Sequence, residues 1–275
     1  PLQPMTDEIA HVDIDDGALD RLGRWPWDRS RLAAVIDELY RAGAATIAVD
    51  LVLADPSGDA EAEHDARFAE ALRQVRCVLP VVVRMETEFE AAWRTPQGEA
   101  ELARLLDVLA ADIQMDPSAV LETADITGTR RASFRERPLR FKRAAAWRAL
   151  REAPEPPSSF EAFEQLVAPH RRTLVASYPE QPMLQAVWNQ HRAWQHVRPH
   201  LIHGDAAGTE RDQAPLPAFA IRADGVGYVN VDRQKDPDGS VRSLAVSLPA
   251  PGGEVLQFGL AAALVHRGLT PRDID

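Results

Sequence analysis

At 275 residues, 45% of them hydrophobic, the chain is long enough to bury a sizeable core, and its net charge of −11 disfavours a nucleic-acid partner for the chain as a whole. Its longest uncharged apolar run, residues 77–83, is far too short to span a bilayer. A single cysteine, Cys77, excludes an internal disulfide.

The first predicted element is residues 9–14 (IAHVDI), a short apolar-rich strand ending in the carboxylate pair Asp15 and Asp16 and broken by Gly17. Trp25, Pro26 and Trp27 then make an extended, Pro-pinned turn with two large rings. Asp28 or Ser30 can cap the helix that follows, in which Leu32, Val35, Ile36 and Leu39 recur as one apolar face and which Gly43 ends. Residues 44–53 form a nearly continuous apolar run, the pattern of a strand covered on both faces. A helix between two such strands makes them parallel, so residues 9–55 read as one βαβ unit.

That order, with Asp15, Asp16, Gly23, Trp25, Pro26, Trp27, Arg29, Ala42, Gly43, Ala44, Asp50 and Pro56, resembles the type 2 CHASE domain. The Trp-Pro-Trp core is its specific feature, and residues 227–246 are similar to the family's closing hairpin. Where the family usually has Pro, this chain has Asp28. The resemblance implies an extracytoplasmic sensory domain of a bacterial inner-membrane receptor. Its cyclase or histidine kinase output lies elsewhere, and the receptor is expected to be a homodimer with membrane helices flanking both ends. A start at Pro1 fits an excised or processed piece of such a protein.

Further along, residues 59–74 read as a second amphipathic helix and 77–83 as a third buried strand, completing a βαβαβ start. Residues 86–123 carry one predicted helix around 99–112, with breaks at Pro96 and Pro117. Residues 130–151 hold nine Arg or Lys against the single Glu136. Two readings stand for this basic run: contact with anionic headgroups beside a membrane, or a solvated helix face that pairs with the acidic remainder. Residues 152–159 (EAPEPPSS) are a Pro-rich linker.

Residues 187–203 read as a helix bearing His191, His196, His200 and His203; His196 and His200 have zinc-site spacing, but Pro199 interrupts it. Residues 225–231 and 241–248 alternate around a turn at 236–239, a predicted hairpin, and residues 255–269 are a final helix closed by Gly268. The expected fold is therefore α/β: a three-layer α/β/α arrangement with a mainly parallel sheet, a helical insertion at about 86–215 and a C-terminal antiparallel hairpin, all in one domain.

Asp15, Asp16, Asp50 and Asp55 fall at or beyond the C-terminal ends of predicted parallel strands, where open α/β sheets bind ligands. With Trp25, Trp27 and Arg29 they are the candidate binding residues for a small-molecule or ionic stimulus. Such carboxylates can hold a divalent cation or merely cap helices and shape turns. The two indoles read as core or hinge packing, with a ligand platform as the alternative. No metal site and no cofactor are expected. The enzyme alternative is a metal-dependent phosphatase of haloacid-dehalogenase type using Asp13 and Asp15. Nucleophile elbows and phosphate-binding glycine loops are absent from the sequence, which points to sensing without catalysis.

Overall fold

The computed structural model describes residues 8–57, 62–83, 91–169, 180–204, 212–229 and 245–273. Its first helix, α1 (Asp16–Leu22), begins where the Asp15 side chain accepts a hydrogen bond from the Ala18 amide. In the same way Asp28, not Ser30, caps α2 (Arg29–Arg41) by accepting from the Arg31 amide at 2.9 Å. Helix α2 buries Leu32, Ala33 and Ile36. They meet α3 (Ala62–Leu72), which buries Phe68, Ala69, Ala71 and Leu72. Each large side chain so buried contributes roughly 1.5–3 kcal/mol.

Strand β1 (Thr46–Ala48) lies parallel to β2 (Arg76–Val81), and α3 links them. Along β2 the side chains alternate between faces. Cys77, Leu79 and Val81 join the main core with α2 and α3, whereas Val78 packs with Ala261, Leu264 and Val265 of α11 (Phe258–Arg267). On the far side of β2 runs β4 (Gly225–Tyr228), also parallel, so the sheet order is β1-β2-β4. The two glycines of β4 let α11 approach. A Cβ on Gly227 would stand 2.4 Å from Phe258 Cα, and one on Gly225 2.6 Å from Val265 Cγ2.

The chain is thus a mixed helix-and-sheet fold with a parallel sheet, and one expected strand is corrected. Residues 9–14 form no strand; they lie exposed, Ile9 at 71% and Val12 at 57%, and β1 is an edge. Alternating hydrophobicity marks a segment able to be a strand, but a strand needs a partner, and here none pairs with it. Of the predicted hairpin at 225–231 and 241–248, the first segment supplies β4, which is buried at all four residues and pairs with β2, while residues 230–244 lie outside the described residues. The turn expected at 236–239 lies outside the described residues. An antiparallel hairpin joins β5 (Ser247–Ala250) to β6 (Gly253–Leu256). Residues Ile202–His203 (β3) extend it to a second sheet of order β3-β6-β5.

Between β2 and β4 stands the helical insertion: α4 (Pro96–Ala111), α5 (Pro117–Thr123), α6 (Thr129–Glu136), α7 (Pro138–Glu152), α8 (Phe160–Val167), α9 (Gln181–Val197) and the short α10 (Pro217–Ala220). The prolines read as breaks at 96 and 117 are helix starts, the place where a missing N–H costs nothing. The basic run becomes α6 and α7, and its apolar side is spent inside the protein: Phe134, Phe141, Trp147 and Leu150 are buried, against α4 and α9. Its charges meet acids of the same chain, Arg130 with Glu101, Lys142 with Glu180 at 2.5 Å and Arg148 with Asp107 at 2.8 Å. Among the described residues, Leu139 is the one large apolar side chain of this segment left exposed.

Candidate functional site

Of the residues singled out from the sequence, Arg29 sits at the centre of a built polar cluster. It starts α2, and its guanidinium donates to the Asp65 carboxylate at 3.3 Å and to the Asp55 carbonyl at 3.0 Å, while stacking 5.9 Å from the Phe219 ring centroid. Asp65 also accepts from the Ser57 amide and hydroxyl, both at 2.9 Å. The cluster therefore ties the loop after β1 to α3 and α10. Asp65 was not among the expected site residues. Its signal was faint: a carboxylate in the first turn of α3, 36 residues from its arginine.

The carboxylates do not converge. Asp15 caps α1, Asp16 is its exposed first residue, and Asp50 is exposed beyond the end of β1. Asp55 contributes its backbone carbonyl to Arg29. Among the described residues no three His, Cys, Asp or Glu side chains come together as a cation site would require. Asp13, the nucleophile of the phosphatase alternative, lies exposed in the extended N-terminal stretch beside His11 at 3.4 Å, not at the end of a sheet strand.

The two indoles part company. Trp27 is 6% exposed, donates from its ring nitrogen to the Gly23 carbonyl at 2.8 Å, and carries the Arg31 guanidinium over its face. Trp25 is 43% exposed and leans on Trp27 with ring centroids 6.1 Å apart. The expectation that both are core packing residues therefore holds for Trp27, whereas Trp25 keeps much of its ring open to solvent.

The mouth at the C-terminal ends of the parallel strands is filled by the chain itself. Residues 212–216 run across it: Val82 and Gln213 exchange backbone hydrogen bonds at 2.9 and 2.8 Å, and the Leu216 amide donates to the Leu53 carbonyl. From α9, the Gln190 amide group donates to the carbonyls of Ala54 and Ala214 and accepts from the Ala214 amide, and the Trp194 ring nitrogen donates to the Asp212 carbonyl. Those groups satisfy the backbone a ligand would otherwise meet there.

The histidines form no zinc pair. His191 stacks on Trp188, and burial pushes its pKa down. Helix α9 ends at Val197, and His200 stands in a 3-10 turn (Arg198–His200), so His196 and His200 do not share a regular helix face. Burial lowers the His200 pKa, partly offset by the nearby Asp224 carboxylate. Asp224 itself accepts from the Cys77 amide at 2.8 Å. Burial, and secondarily that carboxylate, push the Cys77 thiol up to about 12, which makes it an inert core thiol.

Compared with known proteins, the chain matches the family profile of the CHASE2 domain over residues 2–274. No curated protein and no solved structure gave a match. A match spanning nearly the whole chain absorbs the Trp-Pro-Trp turn, the helical insertion and the C-terminal sheet alike, and the chain belongs to the CHASE2 family of extracellular sensory domains.

Proposed function

We propose that this chain is the extracytoplasmic sensor of a bacterial inner-membrane receptor, whose cyclase or kinase output lies outside these residues. It receives a small-molecule or ionic stimulus and relays it without catalysis of its own. The observation that carries this reading is the CHASE2 match over residues 2–274. The arrangement of the candidate residues supports it: Arg29 is engaged in fixing loops, and Asp13 lacks the strand-end setting of a nucleophile. Among the described residues no helix is long and apolar enough to cross a membrane; in the proposed receptor, membrane helices flank this domain. The receptor works as a homodimer, for which the open edge at β1 and the exposed Ile9, Val12 and Ile14 supply unpartnered surface.

The experiment compares the purified domain with the full-length receptor. The domain is expected to hydrolyse no generic phosphoester with magnesium, while its deletion changes cyclic-nucleotide synthesis or autophosphorylation by the full-length protein. Hydrolysis that disappears in the Asp13→Asn and Asp15→Asn double variant would instead establish the phosphatase.

A further inference from the structure

We propose that the stimulus site of this sensor is a groove at its second sheet, and that the site takes a small organic dianion, a dicarboxylate or a phosphate monoester. The proposal rests on the sensor reading above. The groove has a volume of about 680 Å³ and is lined by Arg198, Pro199, Leu201, Ile202, Gly204, Gly252 and Arg272. That volume suits a small ligand. A neighbouring cavity, lined by His200, Asp224, Thr270 and Pro271 among others, measures about 20 Å³ and holds no more than a water.

Charge selects the ligand class. Arg198, in the turn after α9, and Arg272, in the 3-10 turn Pro271–Asp273, are both exposed on this groove. Among the described residues no ion pair or side-chain hydrogen bond engages either guanidinium, although the chain carries 42 acidic residues against 31 basic ones. The nearest acid in sequence, Asp273, is occupied: its carboxylate accepts from the Thr270 amide at 2.7 Å and hydroxyl at 2.8 Å, which hold its pKa below the usual range. Two permanently charged, planar donor forks on one groove are the groups that bind carboxylates and phosphates, each able to hold one in bidentate fashion.

The main chain packs closely beside the groove and fixes Arg198 there. Gly252 adopts φ +90, a conformation L side chains rarely take, and its missing side chain gives the Arg198 stem its place: a Cβ there would lie 3.4 Å from Arg198 Nε. At Gly253 a Cβ would come within 2.4 Å of the Ile202 carbonyl, so the hairpin turn can lie against β3 only as bare backbone. Leu201 and Ile202 supply an apolar wall for the carbon frame of the ligand.

The position also suits a relay. A dianion held by both arginines ties the last described turn of the chain to the end of α9, the helix whose Gln190 and Trp194 close the strand mouth. The residues named from the sequence, Asp15 to Asp55, would then frame the fold rather than touch the stimulus.

Titration calorimetry of the purified domain with succinate and with inorganic phosphate tests the proposal. Saturable binding of at least one probe is expected, weakened about tenfold or more by Arg272→Ala and by Arg198→Ala. Arg198→Lys, which keeps the charge but not the fork, should also weaken it. Both arginines are exposed, so far-UV circular dichroism and the ligand-free melting curve should be unchanged in the variants. Absence of saturable binding up to about 10 mM would overturn the proposal. So would binding that neither substitution weakens, or binding to anionic lipid vesicles without binding to the free probes. A failure here leaves the sensor reading standing, because that reading is decided by membrane topology and receptor output.

Discussion

Trp27→Ala is expected to lower the stability of the domain by about 3–5 kcal/mol in denaturant melts, the usual range for emptying a buried aromatic site. The neighbouring Trp25→Ala should cost less than about 1 kcal/mol, as surface substitutions do. The contrast follows from burial and bonding. Trp27 is 6% exposed in the main core and its ring nitrogen satisfies the Gly23 carbonyl, so truncation opens a cavity and strips a hydrogen bond. Trp25 is 43% exposed and loses mainly its contact with Trp27. Comparable losses in the two variants would mean that the Trp-Pro-Trp turn is held as one buried unit, contrary to the structure.

Glu101→Ala should be equally damaging, at about 3–5 kcal/mol, because it strands a charge inside the protein. Glu101 is buried within the insertion and accepts from Arg130 Nε at 2.8 Å and Nη2 at 2.7 Å, from the Thr127 amide at 3.0 Å and hydroxyl at 2.9 Å, and from Gln97 at 3.0 Å. Removing it leaves the Thr127 amide without its acceptor and the Arg130 guanidinium without a counter-charge, held only by the Ala92 carbonyl at 3.3 Å and the Thr127 hydroxyl at 3.1 Å. Those hydrogen bonds, Arg130 first, lower the carboxyl pKa from 4.5 to about 2. A depressed folded-state pKa means the pair's stabilisation is fully present above pH 4.5 and is lost as pH falls towards 2. Glu101→Gln should cost less than Glu101→Ala at neutral pH. It should also flatten the fall in stability between pH 4.5 and 2, measured by denaturant melts across that window. An unchanged acid slope would place the sensitivity in other carboxylates.

What the sequence disclosed was mostly local. The Asp28 cap, the Leu32–Ile36 face, the Gly43 stop and the α3 and β2 segments depend on near neighbours, and the Trp-Pro-Trp turn was enough to suggest the family. Partnership between distant segments was not legible. Residues 9–14 alternate as a strand would, yet nothing in a sequence says whether a partner is adjacent, and β1 is left as the edge. Likewise the alternation at 225–231 gave no sign that β4 pairs with β2, a strand about 150 residues earlier. The surroundings of the candidate site were illegible for the same reason. Strand ends bind ligands when they are open, and here residues 212–216, Gln190 and Trp194 cross the mouth from a part of the chain whose histidine spacing gave no hint of that contact. Arg29 was found from the family pattern, but its partner Asp65 belongs to the next helix.

The most direct measurement is of topology in the living cell. Alkaline phosphatase, which is active only outside the cytoplasm, is fused in frame just after this domain within its full-length gene, and a parallel fusion carries a reporter active only in the cytoplasm. An extracytoplasmic sensor predicts an active phosphatase fusion and a silent cytoplasmic one. The reverse pattern, with the domain on the cytoplasmic side, would contradict the sensor reading.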